Sequence, residues 1–177
     1  TDPESGTPVK LKCQAPVDIV HYPVRQFEPS DIELDLTTDF NFLSIVQWGP
    51  RKNIENTISW FVESFRNRED VGLILKTNLA KNCLLDRRTV TAKLENLLSN
   101  FPDRKCKVYL LHGYLKNDEM SALYQHDKVK ALISLTHGEG FGLPMFEAAY
   151  YGLPIVATDW SGQKDFLYMP VVDKKGK

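Results

Sequence analysis

From residue 41 to residue 158 the chain alternates between two patterns. Short, nearly continuous apolar runs give way to stretches where apolar residues recur every three or four positions. The first pattern reads as strand and the second as helix. Residues 41–48, 71–77, 107–112, 129–135 and 154–158 are predicted strands, rich in branched and aromatic side chains. Between the first two, Asn53 is placed to cap a helix whose one face carries Ile54, Ile58, Phe61, Val62 and Phe65. A second helix is predicted over 89–99, with Val90, Leu94, Leu97 and Leu98 on one face. Asn117 caps a short third helix, and Asp118 and Glu119 in its first turn complement the helix dipole. The fourth runs over 144–151, with Pro144 at its first position and Gly152 at its stop. Ahead of this series, residues 17–20 form a short apolar run ended by Pro23, read as a further strand, and 26–39 is an acidic loop.

Strands that alternate with helices and are apolar on both faces predict a parallel sheet covered on both sides. With right-handed crossovers this is a Rossmann-like, doubly wound α/β domain. Such sheets bind ligands beyond the carboxyl ends of their strands, here the loops after Trp48, Thr77, His112, Leu135 and Thr158. No internal repeat or low-complexity tract occurs. Residues 1–15 read as a linker from a preceding domain and 16–177 as the α/β domain. No helix is predicted after the fifth strand, so both ends read as cut points.

Composition narrows the function classes. The 177 residues are 42% hydrophobic and 25% charged, a globular balance, with formal net charge −1. No basic excess is present to neutralise phosphates along a nucleic acid, so no nucleic-acid partner is expected. No apolar run approaches the roughly 20 residues of a membrane span, and no signal peptide is visible. Cys13, Cys83 and Cys106 lack the spacing of a zinc or redox motif and are read as reduced thiols of a cytoplasmic protein.

Candidate chemistry gathers in two loops. Gly138, Gly140 and Gly142 alternate just before a helix start. Glycine lets backbone N–H groups approach a ligand, and the helix start adds unpaired N–H groups, so this is an anion site fit for a diphosphate or a sugar hydroxyl. Glu139 lies within the loop and Glu147 about one turn into the helix. An ionised carboxylate can accept from two hydroxyls, as a vicinal diol offers. Phe146, Ala148 and Ala149 predict a largely buried helix around Glu147. The other loop holds Arg51 and Lys52 at the end of the first strand, where a bound diphosphate would offset the cost of cations at a helix start.

These segments carry a resemblance. Residues 42–54, Gly113-Tyr114-Leu115 with Met120, Leu123 and Tyr124, Glu139-Gly140-Phe141-Gly142-Leu143-Pro144 with Glu147-Ala148, residues 152–158 and Ser161-Gly162 together resemble the C-terminal domain of the family-four, GT-B fold glycosyltransferases. The likeness runs from about Pro16 to Leu167, and Glu4-Ser5-Gly6 is similar to the end of the helix that precedes that domain. The resemblance implies a GT-B C-terminal half-domain of a retaining enzyme that builds polysaccharides or glycolipids from UDP- or GDP-sugars. It implies that Glu139 contacts the donor sugar beside the anomeric centre and Glu147 holds the ribose. It implies that Lys52 binds the diphosphate. The loop from Gly138 to Leu143, with the backbone of Gly140, Phe141 and Gly142, would meet sugar and phosphates. Tyr114 and Leu115 would flank the base. One position departs: the family usually has an arginine five positions before the lysine, and this chain has Gln47, so either Arg51 supplies the second cation or diphosphate binding is weaker. His137 is read as a loop residue or one that supports the residues touching the ligand.

No metal motif accompanies these residues, since Glu33-Leu34-Asp35-Leu36 sits in a loop. No cofactor is expected, the nucleotide-sugar being a substrate. The acceptor, a sugar or lipid-linked sugar, would be held by the preceding domain. The full-length enzyme is expected in the cytoplasm, with peripheral contact at the inner face of a membrane. The 177 residues alone are expected to bind nucleotide weakly without transferring sugar. A nicotinamide-dependent oxidoreductase would need a G-x-G-x-x-G after the first strand, where this chain has Gly49-Pro50-Arg51-Lys52. A sugar-nucleotide epimerase of the same architecture and a non-catalytic nucleotide-binding module are the alternatives.

Overall fold

The computed structural model describes residues 15–168, apart from 19, 21 and 24. Among them are strands β1 (Phe40–Gln47), β2 (Val71–Asn78), β3 (Lys107–His112), β4 (Val129–Ser134) and β5 (Ile155–Ala157). They are joined through helices α1 (Ile54–Phe65), α2 (Leu84–Leu98), α3 (Asn117–Gln125) and α4 (Leu143–Tyr150), and a single turn, α5 (Lys164–Leu167), follows β5. Every pairing is parallel, in the spatial order β3-β2-β1-β4-β5. The chain winds outward from β1 to β3, then crosses back to build β4 and β5 on the other side. The doubly wound α/β fold expected from the pattern is the fold observed.

Alternation along the strands sorts the core into two layers. On one face Ile58 and Val62 of α1 pack with Leu73 and Leu75 of β2 and Val90 and Leu94 of α2. On the other, Leu43 and Ile74 meet Leu123 of α3, Leu132, and Met145 and Ala148 of α4. Burying each such side chain contributes about 1.5–3 kcal/mol.

Several element boundaries differ from expectation. Helix α2 starts at Leu84, not at residue 89, and its buried stripe is Asp86, Val90, Leu94 and Leu98. A buried aspartate is invisible to an apolar count, and Leu84 and Leu85 face solvent, so the pattern surfaces only at Val90. Asn117 is the first residue of α3, not its cap; the Glu119 carboxylate accepts from the Lys116 N–H at 2.6 Å. Helix α4 starts at Leu143, which puts Pro144 at the second position. The turn α5 follows β5, where no helix was expected. In the apolar run 17–20 the described residues 17, 18 and 20 are irregular, and Val17 and Val20 are exposed. Residues 1–14, with Cys13 and Glu4-Ser5-Gly6, and those after 168 lie outside the described residues. Cys83 is exposed and Cys106 buried, both free thiols.

A polar knot closes the amino-terminal end of the sheet. The Thr38 hydroxyl donates to Asn41 Oδ1 at 2.5 Å, and Asn41 Nδ2 donates to the carbonyls of Thr38 and Lys128, each at 3.0 Å. Asn41 and Thr38 are fully buried, so these bonds replace water that the core excludes. Gly72 on β2 makes room for them. A Cβ there would fall 2.2 Å from Asn41 Oδ1 and 2.7 Å from Thr38 Oγ1. Gly72→Ala is therefore expected to destabilise the chain by about 1–3 kcal/mol through overpacking. The measurement is the urea unfolding midpoint, and a midpoint equal to the parent's would refute the close-approach argument.

Candidate functional site

The strand order reverses between β1 and β4, the point at which a doubly wound sheet places its ligand crevice beyond the carboxyl ends of the strands. The two loops are laced together. The Arg51 carbonyl accepts from the His137 N–H at 2.9 Å and lies 3.0 Å from the hydroxyl of the fully buried Thr136. Asn53 adopts a left-handed conformation, φ 52°, and makes no side-chain cap to α1. Its amide instead donates to the Leu135 carbonyl at 2.9 Å and accepts from Asn56 at 2.7 Å. The residue expected to begin a helix thus also ties the first strand's loop to the fourth's.

This lacing brings the candidate charges together. Lys52 Nζ is ion-paired with Glu139 Oε1, while Arg51 donates to the Gly138 carbonyl and stands 3.5 Å from Glu139 Oε2. The Lys52 and Glu139 side chains keep 17% and 11% of their surface exposed, against 61% for Arg51. Two cations therefore meet one carboxylate, Lys52 in a shielded position and Arg51 in an exposed one, leaving one positive charge in excess.

The loop after β5 holds the glycine loop from the far side. Ser161 Oγ donates to the Glu139 carbonyl at 2.6 Å and accepts from the Glu139 N–H at 2.8 Å. The indole of Trp160 donates to the His137 carbonyl at 3.1 Å. A Cβ on Gly162 would strike the Gly140 carbonyl at 2.1 Å, so that glycine is a packing requirement. The glycines of the loop itself divide. Gly142, at φ 94°, caps α4 in a left-handed conformation and has Met145 against it. Gly140 needs no left-handed backbone and has open space where a Cβ would point. Neither its backbone conformation nor its packing calls for a glycine there.

Glu147 lies in the second turn of α4, and the expectation of a largely buried helix around it is corrected. Met145 and Ala148 face the core, while Glu147 and Ala149 are exposed, because the short helix presents only one face to the sheet. Glu147 still has a fixed partner: the Tyr124 hydroxyl donates to Oε2 at 2.8 Å. Burial, reinforced by the Glu147 charge, pushes the Tyr124 phenol far above its usual range, so it remains a donor. Glu147 lines a cavity of about 200 Å³ with Tyr22, Leu143, Phe146 and Tyr150. Phe141 packs against Phe146 and Phe166, with ring centroids 5.1 Å apart in each case, and against Tyr22 at 5.5 Å. Its side chain is a packing anchor among these rings.

Three other expected residues stand apart from the Lys52–Glu139 pair. Gln47 donates from Nε2 to the Leu79 carbonyl at 2.6 Å, so it anchors the neighbouring loop. Arg51, not position 47, supplies the second cation near Glu139. Tyr114 is 72% exposed on the rim after Gly113, whose φ is 106°. Leu115 turns into the core on the α3 and α4 side. His137 is an exposed loop residue; it borders a cavity of about 450 Å³ with Trp48, Pro50, Asn53 and Asn56, which none of Lys52, Glu139 and Glu147 lines.

Sequence reasoning did not single out Thr136, or Asp86 with His112. Asp86 accepts from the N–H groups of Leu79, Ala80 and Lys81 at 2.8–2.9 Å and pairs with His112 Nε2 at 2.8 Å. The available signal was an aspartate in phase with Val90 and Leu94 on α2.

The family model described as glycosyl transferases group 1 matches residues 32–169. The chain belongs to this family. Among curated relatives, the serotype-specific mannosyltransferase WbdA of Escherichia coli is 29% identical over 119 residues, 67% of this chain and 13% of that protein. The chain thus spans a small part of the relative's length. Among solved structures, the C-terminal domain of the group 1 protein LpcC from Francisella tularensis superposes with a TM-score of 0.56 at 14% identity, over 75% of this chain and 64% of that one. Anabaena HepE, solved with UDP-glucose, gives 0.53 at 18% identity, over 74% and 33%. The fold of this glycosyl transferase chain is that of a GT-B C-terminal domain.

The Asp86 cluster yields a pH test. The His112 hydrogen bond, followed by the backbone N–H groups of the loop, holds the Asp86 carboxyl well below the usual carboxylate range. A carboxyl lowered in the folded state adds stability above its unfolded value of about 3.9, and that stability drains away as pH falls. Asp86→Asn should therefore unfold at lower urea than the parent at pH 7, with the gap shrinking below about pH 4. A gap that stays constant down to pH 3 would show that Asp86 acts without its charge.

Proposed function

We propose that this domain binds the nucleotide-sugar of a retaining glycosyltransferase and that the Lys52–Glu139 crevice is its donor site. The observation that carries the reading is the meeting of Lys52, Arg51 and Glu139 at the point where the strand order reverses. The donor is a UDP- or GDP-sugar, and the UDP-glucose bound in the HepE structure supports that class. The acceptor hydroxyl, on a sugar or lipid-linked sugar, comes from outside these 177 residues. Polysaccharide synthesis is the setting that the likeness to a mannosyltransferase supports.

In this reading the diphosphate enters beside Lys52 and Arg51, with the backbone around Gly140 and the start of α4 supplying N–H donors. Glu147, oriented by Tyr124, accepts from the ribose hydroxyls. As the bond to the sugar breaks, negative charge grows on the leaving diphosphate and positive charge at the anomeric carbon. Lys52 and Arg51 stabilise the first, and Glu139, the group that holds Lys52 in place, stabilises the second. The catalysis is electrostatic and preorganised, because the charges are already fixed by the two laced loops. No step in it requires a metal or cofactor.

Calorimetric titration with UDP, GDP and ADP tests this. Charge-assisted hydrogen bonds contribute about 1.5–3 kcal/mol, so Lys52→Ala and Glu147→Ala should each weaken the preferred nucleotide about tenfold to a hundredfold. If no nucleotide binds, or if both variants bind as the parent does, the donor-site assignment is wrong.

A further inference from the structure

A cleft of about 450 Å³ lies between the first turn of α1, the middle of α2 and the loop after β4. It shares walls with the Lys52–Glu139 crevice without sharing those residues. Pro50 and Asn53 line the cleft, and Lys52 between them pairs with Glu139. His137 lines it from the other loop, with its backbone fixed on both sides. Its N–H donates to the Arg51 carbonyl, and its carbonyl accepts from the Trp160 indole. Buried Trp48 and Ile54 and half-buried Leu79 supply the apolar part of the lining.

The polar part is set for hydroxyl groups. The Trp48 indole donates to Glu55 Oε1 at 3.2 Å, which orients the carboxylate and leaves its other oxygen without a partner among the described residues. Asn56 donates from Nδ2 to Asn53 Oδ1 at 2.7 Å, which orients its amide and leaves its own oxygen able to accept. The Lys93 ammonium and the His137 ring also line the cleft, and neither makes a hydrogen bond or ion pair among the described residues. Oriented acceptors on α1 are thus combined with uncommitted groups from α2 and the β4 loop. A hydroxyl both donates and accepts, so a polyol satisfies both sets at once. Glu55 and Lys93 cancel in formal charge, and Glu55 in the first turn of α1 opposes an anion at that helix start. A phosphate is therefore disfavoured. A purely apolar ligand would take water from four polar side chains without replacing it. The chemistry that fits is a neutral ring with hydroxyls at its edge and C–H groups on its faces.

We infer that this cleft is a saccharide subsite, distinct from the donor crevice. The family transfers glycosyl groups, so a saccharide is a substrate on this domain's doorstep. Under the donor-site reading, the donor sugar arrives on a nucleotide, and a nucleotide-free saccharide in this cleft is a unit of the acceptor. That last step rests on the donor-site reading; saccharide binding in the cleft does not.

The experiment is titration of the full 177-residue chain with the neutral disaccharides maltose, lactose and mannobiose. Binding is followed by NMR at the Trp48 indole N–H, which reports on Glu55 through their hydrogen bond. At least one disaccharide should shift this signal at millimolar concentration, and added salt should leave the binding unchanged because the ligand is uncharged. Lys93→Ala should weaken binding about tenfold and His137→Ala about twofold to tenfold. Both side chains are exposed, so both variants should unfold at the parent's midpoint. Gly49 also lines the cleft, has an extended backbone at φ −166° and has open space where a Cβ would point. Gly49→Phe should therefore fill the cleft and abolish saccharide binding with the fold intact. UDP and GDP should bind Gly49→Phe as they bind the parent, and should bind the parent together with the disaccharide. Failure of the chain to bind any nucleotide would refute the donor site and leave the saccharide cleft standing. No shift with any of the three disaccharides, binding that survives Gly49→Phe, or a nucleotide that displaces the disaccharide would overturn the inference.

Discussion

Two loops leaving neighbouring strands must be held at one spacing if their side chains are to act on a common ligand. Here the Arg51 carbonyl does this, accepting from the His137 N–H and lying within reach of the buried Thr136 hydroxyl. The Asn53 amide adds a third tie through the Leu135 carbonyl. Each such bond contributes roughly 1 kcal/mol net, but leaving its buried partner unsatisfied costs about 1–3 kcal/mol. The spacing is therefore defended more strongly than it is favoured. Lys52 and Glu139 meet because of that spacing, and the ion pair adds to a geometry that backbone bonds have already set.

The crevice is built from several loops with separate tasks. The β1 loop supplies the cations, the β4 loop a carboxylate and open glycine backbone, and the β5 loop a clamp through Ser161, Trp160 and Gly162. Lys52 and Glu139 are shielded enough that their attraction is screened less than that of surface pairs such as Arg68 and Asp70. The β2 loop contributes no charge to the pair. It is held rigid from below by Asp86 and from the side by Gln47.

Much of this was legible in the pattern of residues, and the failures have specific causes. Strand positions were read well because strands buried on both faces are nearly continuous apolar runs. The start of α2 was misplaced because an aspartate occupies a core position and two leucines occupy surface ones, which inverts the signal in its first turns. Leu115 was assigned to a ligand-facing loop, yet the left-handed turn at Gly113 sends it into the core. The helix around Glu147 was expected to be buried because its neighbours are apolar, but a two-turn helix lying on a sheet leaves half its surface outside.

By itself the sequence determined the order of strands and helices, the parallel doubly wound class and the residue types placed at the strand ends. These follow from local periodicity, turn chemistry and chirality, which act over a few residues at a time. Only the tertiary structure decided which charges meet. Lys52 and Glu139 are 87 positions apart, and their contact depends on the β3-to-β4 crossover that seats β4 beside β1. Whether Gln47 or Arg51 stands near that carboxylate was settled in the same way. Side chains at a strand end alternate in direction, and the neighbouring loop claimed Gln47 through the Leu79 carbonyl.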